Sequence, residues 1–150
     1  LRFDPMAMLP FCGYNMGDYF GHWLTIGRRE GAQLPKIFGV NWFLKDDDGK
    51  FLWPGFGENS RVMAWIFRRC QGAAEAQDTA IGLMPKAGEG GIDTRGLDIS
   101  EEAMSRLLSV DTGGWRGQLP QVHEHYARFG DRLPSEMRAQ LSELEERLES

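Results

Sequence analysis

Residues 46–62 read Asp-Asp-Asp-Gly-Lys-Phe-Leu-Trp-Pro-Gly-Phe-Gly-Glu-Asn-Ser-Arg-Val, and this run places a turn, a loop and a helix start in succession. Asp48-Gly49 readily takes the positive φ angles that a tight hairpin requires. The segments on either side of the turn, 37–43 and 51–53, are rich in aromatic and branched residues. The sequence therefore predicts a β-hairpin over residues 37–53.

The glycine- and proline-rich loop at 53–57 follows this hairpin and cannot form regular structure. Such a loop lets a ligand approach the backbone closely, because glycine has no side chain to block it. A helix is predicted from Ser60 to Cys70, where apolar residues recur at helical spacing before Gly72 closes it. The side chains of the loop are therefore expected to lie next to the start of this helix.

Two further segments are predicted on either side of this region. Apolar residues at helical spacing indicate a helix over residues 14–26, with Gly27 ending it in a left-handed conformation. Residues 71–96 are rich in glycine, alanine and small polar side chains. They predict an irregular connection that contains the short apolar stretch 81–84.

The last third of the chain predicts three helices. Ser100 is a favourable N-cap, and the acidic residues that follow it suit the positive end of a helix. A second helix runs through Val122 to Gly130, and a third starts at Pro134. This third helix carries an apolar stripe that we expect to pack within its own domain, formed by Met137, Leu141, Leu144 and Leu148. The predicted class is α+β, with a β-hairpin and several helices.

The composition indicates one compact domain. With 150 residues, 41% of them hydrophobic, the chain can bury one substantial core. A net charge of -5 disfavours binding to a nucleic-acid backbone. No apolar run reaches the roughly 18 residues of a membrane span, and the two cysteines, Cys12 and Cys70, signal neither a disulfide framework nor a zinc site. We expect a cytoplasmic protein that binds neither nucleic acid nor membrane.

Three phenylalanines and an asparagine lie on the predicted hairpin and the loop after it, within the stretches 41–43, 51 and 56–61. Aromatic rings stack on a purine at roughly 1 to 3 kcal/mol each, and an asparagine amide offers both a donor and an acceptor for one edge of a base. This set outlines a purine pocket. Spacing alone leaves a second interpretation open, in which the same rings fill a small hydrophobic core.

Other groups that could carry chemistry have simpler interpretations. His123 and His125 lie two residues apart on a predicted helix, whereas zinc-binding helices use a spacing of four, so we expect both to be exposed to solvent. The acidic run Asp46 to Asp48 lacks the alternating ligand spacing of a calcium loop and predicts a solvated turn.

Residues 34–43 and 48–62 closely resemble the guanine-binding segment of GTP-dependent phosphoenolpyruvate carboxykinases. Matches at Asp4-Pro5, Gly13-Tyr14-Asn15 and Pro85-Lys86 extend the resemblance over essentially the whole chain. The chain would then be the C-terminal part of the nucleotide-binding domain, roughly the last quarter of such an enzyme. Its start at Leu1, without an initiator methionine, agrees with a piece of a longer protein.

The resemblance implies a guanine site in this chain. Phe43, Phe51 and Phe56 match the family's aromatic cage, Asn59 matches the residue that hydrogen-bonds the base edge, and Trp42 lies beside the cage. Such a site favours GTP over ATP, because adenine would leave polar groups unmatched at about 1 to 3 kcal/mol each.

The resemblance also implies the reaction of the full-length enzyme. Oxaloacetate and GTP give phosphoenolpyruvate, CO2 and GDP, in gluconeogenesis or anaplerosis. The phosphate loop, the ligands of Mn2+ and Mg2+ and a mobile lid lie before the position matching Leu1, and no G-x-x-x-x-G-K-[ST] run occurs in this sequence. We therefore expect no catalytic residue and no metal ligand here, an inactive isolated chain, and a monomeric enzyme.

Within the chain, the resemblance and the predicted elements suggest three parts. These are a guanine-subsite region at 1–72, an irregular connection at 73–99 and terminal helices at 100–150. The sequence departs from the family pattern at three positions, which are Cys12, Gly39 and Leu44. The family often has a basic residue at the position of Leu44.

Two alternative functions stay open at this point. One is a stand-alone module that binds purines or single-stranded RNA with the same cage, against which the acidic net charge argues. The other is a purely structural domain whose aromatic residues are core.

Overall fold

The computed structural model describes residues 11–150, so the sequence match at Asp4-Pro5 lies outside the described residues. Over these residues the chain forms five helices and one two-stranded sheet, which confirms the predicted α+β class. In chain order they are α1 (Met16–Gly27), α2 (Asn59–Cys70), β1 (Ala76–Thr79), β2 (Gly82–Pro85), α3 (Glu101–Leu107), α4 (Thr112–Ala127) and α5 (Ser135–Glu149). Single 3₁₀ turns lie at Phe56–Glu58 and Gly130–Arg132.

The chain divides into two compact units. The helical unit combines the segment up to Leu34 with Asp111–Ser150, and the central unit is Pro35–Val110. These boundaries differ from the division at 72 and 99 suggested by the sequence, because the first and last parts of the chain pack together. Every residue of the predicted guanine site belongs to the central unit.

The helical unit is held by its caps and by a core on α5. The Oδ1 atom of Asn15 accepts from Gly17 N at 2.7 Å and so caps α1, while its Nδ2 atom donates to the backbone oxygen of Phe129 at 3.4 Å. The rings of Phe20 and Phe129 meet edge to face at 5.4 Å. The predicted apolar stripe on α5 packs within this unit, since its Leu141 and Leu148 are buried.

The end of α1 differs from the prediction. Gly27 is the last helical residue and does not have a positive φ, whereas Gly31 has a φ of 72°. Arg28 continues the helical geometry, and its backbone N–H donates to the oxygen of Leu24 at 3.1 Å. The residue with a left-handed backbone conformation is therefore Gly31, in the turn that follows the helix.

In the central unit, α2 behaves as predicted. Trp65 is buried and meets the ring of Phe38 edge to face at 6.2 Å. Gly72 takes a φ of 76° directly after the helix, as its closing role requires. Arg61 donates to the backbone oxygens of Asp93 and Arg95 at 2.9 and 3.1 Å, which joins the start of α2 to a distant loop.

The predicted irregular connection at 73–99 is wrong for its first half. Strands β1 and β2 pair antiparallel there, from Ala76 opposite Pro85 to Thr79 opposite Gly82. Gly82 takes a φ of 122°, and Thr79 Oγ1 donates to its backbone oxygen at 2.6 Å. The strands are short and lack a clear apolar–polar alternation, so their sequence carries little strand signal.

The hairpin predicted at 37–53 is only partly formed. Its turn is present, with Gly49 at a φ of 82° and a single antiparallel bridge between Lys45 and Phe51. The strand predicted at 37–43 is absent from the described structure. The Oδ1 atom of Asn41 accepts from Phe43 N at 3.0 Å, a local bond that competes with strand pairing.

The pH dependence of stability should report on His125 in α4. Burial lowers the pKa of His125, and the nearby Arg128 lowers it further. The unfolded chain takes up this proton near pH 6.5, so the folded state should lose stability as the pH falls below that value. We expect chemical denaturation to show this loss between about pH 7 and 5.5, above the range where carboxylates titrate.

His125→Gln should remove most of this dependence of the unfolding free energy on pH. His22→Gln is the matched control, because it makes the same substitution at an exposed position of α1. A slope that survives in His125→Gln would contradict the assignment.

Candidate functional site

The hairpin turn brings two of the predicted cage residues together. Phe51 is paired with Lys45 in the bridge, and Phe43 lies two residues before Lys45. The ring centroids of Phe43 and Phe51 lie 6.0 Å apart at an interplanar angle of 60°. The backbone N–H of Leu52 donates to the oxygen of Leu44 at 2.9 Å, which fixes this register. Despite this contact, the exposed fractions of Phe43 and Phe51 are 71% and 49%. Rings that served as core would be buried.

A basic residue next to this pair was missed by the sequence analysis. Lys45 Nζ lies 4.9 Å from the centroid of the Phe51 ring, within cation–π range. Lys45 directly follows Leu44, one of the three positions where we expect this sequence to depart from the family pattern. The bridge between Lys45 and Phe51 explains the contact, because it sets the two residues directly opposite each other.

Phe56 is carried by the turn between the hairpin and α2. Its φ is 37°, and among the described residues it is the one non-glycine with a positive φ. Its side chain is 98% exposed. A positive φ at a bulky residue costs of order 1 to 3 kcal/mol and persists mainly at functional positions. The turn thus holds a large aromatic ring in water at a strained position.

Asn59 begins α2 and is oriented by a buried tryptophan. Trp53 is only 5% exposed, and its Nε1–H donates to Asn59 Oδ1 at 2.9 Å. The donor branch of the Asn59 amide therefore points away from the indole. Trp42, predicted to lie beside the cage, is half-buried.

Some of the charged groups around these residues form ion pairs. Glu58 pairs with Arg61 at the start of α2. Asp47, in the acidic turn, pairs with Arg106 at 2.9 Å. Within residues 11–150, no group of three or more His, Cys, Asp or Glu side chains is placed to hold a metal ion. The described residues therefore offer no set of ligands that fits Mn2+ or Mg2+.

The two histidines of α4 do not share the environment predicted for them. His123 is exposed and its Nε2 atom lies 2.5 Å from Glu145 Oε1. His125 is half-buried, and its ring meets Phe129 edge to face at 5.1 Å. The prediction of two exposed histidines is therefore wrong for His125, because the helix turns this position toward the core of the helical unit.

Comparison with known proteins identifies the family. The family profile described as "Phosphoenolpyruvate carboxykinase C-terminal P-loop domain" matches residues 1–147. The chain belongs to the GTP-dependent phosphoenolpyruvate carboxykinase family. Within the part of the carboxykinase fold described here, no helix is long and apolar enough to cross a lipid bilayer.

Several curated carboxykinases resemble the chain along almost all of its length. "Phosphoenolpyruvate carboxykinase [GTP]" of Treponema pallidum is 55% identical over 150 residues, which cover 99% of this chain. The proteins of the same name from Chlamydia trachomatis and Neocallimastix frontalis are 50% and 49% identical, over 99% and 100% of the chain. In each case the match spans 24% of the relative, so the chain corresponds to about a quarter of these carboxykinases.

Proposed function

We propose that this chain supplies the guanine-binding subsite of a GTP-dependent phosphoenolpyruvate carboxykinase. The enzyme would convert oxaloacetate and GTP to phosphoenolpyruvate, CO2 and GDP. The observation that carries the proposal is the exposure of three phenylalanine rings on one hairpin and the turn after it, namely Phe43, Phe51 and Phe56. Exposed aromatic surface of this kind is typical of a ligand site.

The three rings have the properties needed to hold a purine. Phe43 and Phe51 already contact each other at an angle, so a base can stack on one ring and meet the edge of another. Phe56 is held out at a strained backbone position, which a structural role would not require. Each stacking contact is worth about 1 to 3 kcal/mol once water is displaced.

Asn59 supplies the group that distinguishes guanine from adenine. Its carbonyl oxygen accepts from Trp53, so its NH2 group is the part of the amide that would donate to a base. Guanine offers the O6 acceptor on its edge, whereas adenine has the N6 amino donor at the same position. A donor facing a donor leaves both unsatisfied, and adenine is rejected for this reason.

The remaining parts of the reaction fall to residues outside this chain. Phosphoryl transfer requires a phosphate-binding loop and divalent cations, and this sequence contains no G-x-x-x-x-G-K-[ST] run. Mn2+, Mg2+ and the oxaloacetate site belong to the rest of the proposed enzyme. The proposal includes a monomeric, cytoplasmic enzyme, and this chain alone would show no turnover.

The two alternative functions fit the observations less well. A structural domain would bury its aromatic residues, yet Phe56 is 98% exposed. A module that binds single-stranded RNA would carry a positively charged groove beside its stacking rings. The net charge of this chain is -5.

A fluorescence titration of the 150-residue chain with GDP and ADP tests the proposal. Trp42 and Trp53 lie next to the cage in sequence and should report its occupancy. The stacking contacts and one hydrogen bond to the base edge must offset the entropic cost of association. We therefore expect a Kd on the order of 1 mM for GDP. We expect quenching by GDP, and weaker quenching by ADP at the same concentration.

Equal responses to GDP and ADP would contradict a guanine subsite. A response to neither would mean that the pocket forms only together with further residues of the enzyme. Salt-sensitive binding of single-stranded RNA would instead support the nucleic-acid alternative.

A further inference from the structure

We propose that Trp53 is a positioning residue that sets nucleotide selectivity by fixing the orientation of the Asn59 amide. The inference rests on the proposed guanine site and adds a residue that does not touch the base. The observation behind it is the hydrogen bond of 2.9 Å from the indole Nε1 of Trp53 to Oδ1 of Asn59. Asn59 would act on the nucleotide, and Trp53 would act through Asn59.

An asparagine that can rotate freely does not select one base over another. Turning its amide by half a turn exchanges the donor and the acceptor. One orientation places its NH2 group toward O6 of guanine, and the other places its oxygen toward the N6 amino group of adenine. Selectivity at this edge therefore requires that one orientation be held before the base arrives.

The indole of Trp53 can hold only one of these orientations. Its N–H is a donor and has no acceptor capacity, so it pairs with the oxygen of the amide and never with its NH2 group. A flipped Asn59 would set two donors against each other beside a buried ring. An unsatisfied buried donor disfavours that state by about tenfold or more in population.

The surroundings keep both partners in place. Trp53 is 5% exposed, so its ring cannot turn into solvent without losing its packing. Pro54 follows it directly and restricts the backbone at Trp53 to extended conformations. Asn59 is the first residue of α2, with a φ of -59° and a ψ of -26°, so its Cα is fixed by the helix. The amide is therefore held between a buried ring and a helix start.

A comparison of four versions of the chain tests this role. They are the unmodified chain, Trp53→Phe, Asn59→Ala and the double variant, each carried within a full-length carboxykinase and titrated with GDP and with ADP by ligand-observed NMR. Trp53→Phe keeps an aromatic ring in the core but removes the N–H. We expect the ratio of the ADP Kd to the GDP Kd to fall about tenfold in Trp53→Phe, as the loss of one oriented hydrogen bond predicts.

The double variant separates a positioning role from a structural one. If Trp53 acts through Asn59, then Trp53→Phe should not change the ratio further in the Asn59→Ala background. Weakening of GDP and ADP binding by the same factor in Trp53→Phe would overturn the proposal. So would a change in the ratio that persists without Asn59.

A second variant keeps the test valid if Trp53→Phe does not fold. Site-specific replacement of Trp53 by β-(3-benzothienyl)alanine exchanges the N–H for sulfur and preserves the shape of the ring. The same fall in the ratio is expected, and an unchanged ratio would overturn the role of Trp53 alone. Equal GDP and ADP affinities in the unmodified chain would instead overturn the guanine site, and the role of Trp53 with it.

Discussion

Phe56→Gly is expected to weaken guanine nucleotide binding about tenfold, since one stacking contact is worth about 1 to 3 kcal/mol. The same change should not lower the stability of the chain. The Phe56 ring is 98% exposed, so its removal sacrifices almost no packing. Its φ of 37° is strained for phenylalanine and unstrained for glycine. Relief of this strain, of order 1 to 3 kcal/mol, should offset the destabilisation of about 0.4 to 1 kcal/mol that arises because glycine increases the conformational entropy of the unfolded state.

Two measurements on Phe56→Gly distinguish a role of Phe56 in nucleotide binding from a role in the hydrophobic core. Chemical denaturation should give a free energy of unfolding equal to or slightly above that of the unmodified chain. In a full-length carboxykinase containing this chain, KM for GTP should rise while kcat changes little, because stacking stabilises ground state and transition state alike.

Phe38→Ala is the matched control for Phe56→Gly. The Phe38 ring is half-buried against Trp65, so we expect its loss to cost about 2 kcal/mol of stability. KM for GTP should be unchanged under conditions where the variant stays folded. If Phe56→Gly behaved like Phe38→Ala, the structural alternative would be favoured over the guanine cage.

Gly17→Ala is expected to destabilise the helical unit by about 3 kcal/mol, the upper part of the range for overpacking. Gly17 is buried in the first turn of α1. A Cβ atom there would lie 2.5 Å from the backbone oxygen of Arg132 and 2.9 Å from Oδ1 of Asn15. The first contact involves backbone, which cannot rotate away, and the second involves the side chain that caps α1. The change should therefore separate α1 from the turn at Gly130–Arg132 and also weaken its cap.

Gly21→Ala provides the control within the same helix. A Cβ atom at Gly21 would lie 3.8 Å from Pro134 Cγ, which is ordinary van der Waals contact. Because alanine favours a helix interior over glycine by about 0.5 to 1 kcal/mol, this variant should be slightly more stable than the unmodified chain. Urea denaturation followed by circular dichroism measures both. Equal stabilities for the two variants would contradict the close packing at Gly17.

The two sets of variants probe different units of the chain. Phe56 belongs to the central unit, which holds the proposed guanine site, and Gly17 belongs to the helical unit. Nucleotide affinity should therefore fall in Phe56→Gly and stay unchanged in the glycine variants of α1. The stability of the helical unit should change in those glycine variants and not in Phe56→Gly.

Several features were predictable because their causes lie within a few residues of sequence. Ser100 caps α3 through its own hydroxyl, which accepts from Ala103 N at 3.1 Å. Asp46 and Gly49 close the hairpin turn with a bond of 3.1 Å, and Gly72 ends α2 with a positive φ. The cap, the turn and the helix end each depend on the chemistry of one residue and its near neighbours. The residues of the proposed cage come from the family resemblance and stay a prediction, because their spacing alone also fits a small hydrophobic core.

Other features depend on contacts that no local pattern encodes. The bond between Asn15 and Phe129 joins residues 114 positions apart, and it helps to build one unit from both ends of the chain. Strands β1 and β2 have weak strand signals and form through their pairing. The sequence by itself determined the family, the α+β class and most helices, and it supplied the prediction of the cage residues. Only the tertiary structure decided the division into units, the exposure and strain of Phe56, and the hydrogen bond that orients Asn59, because burial and side-chain orientation depend on packing between distant segments.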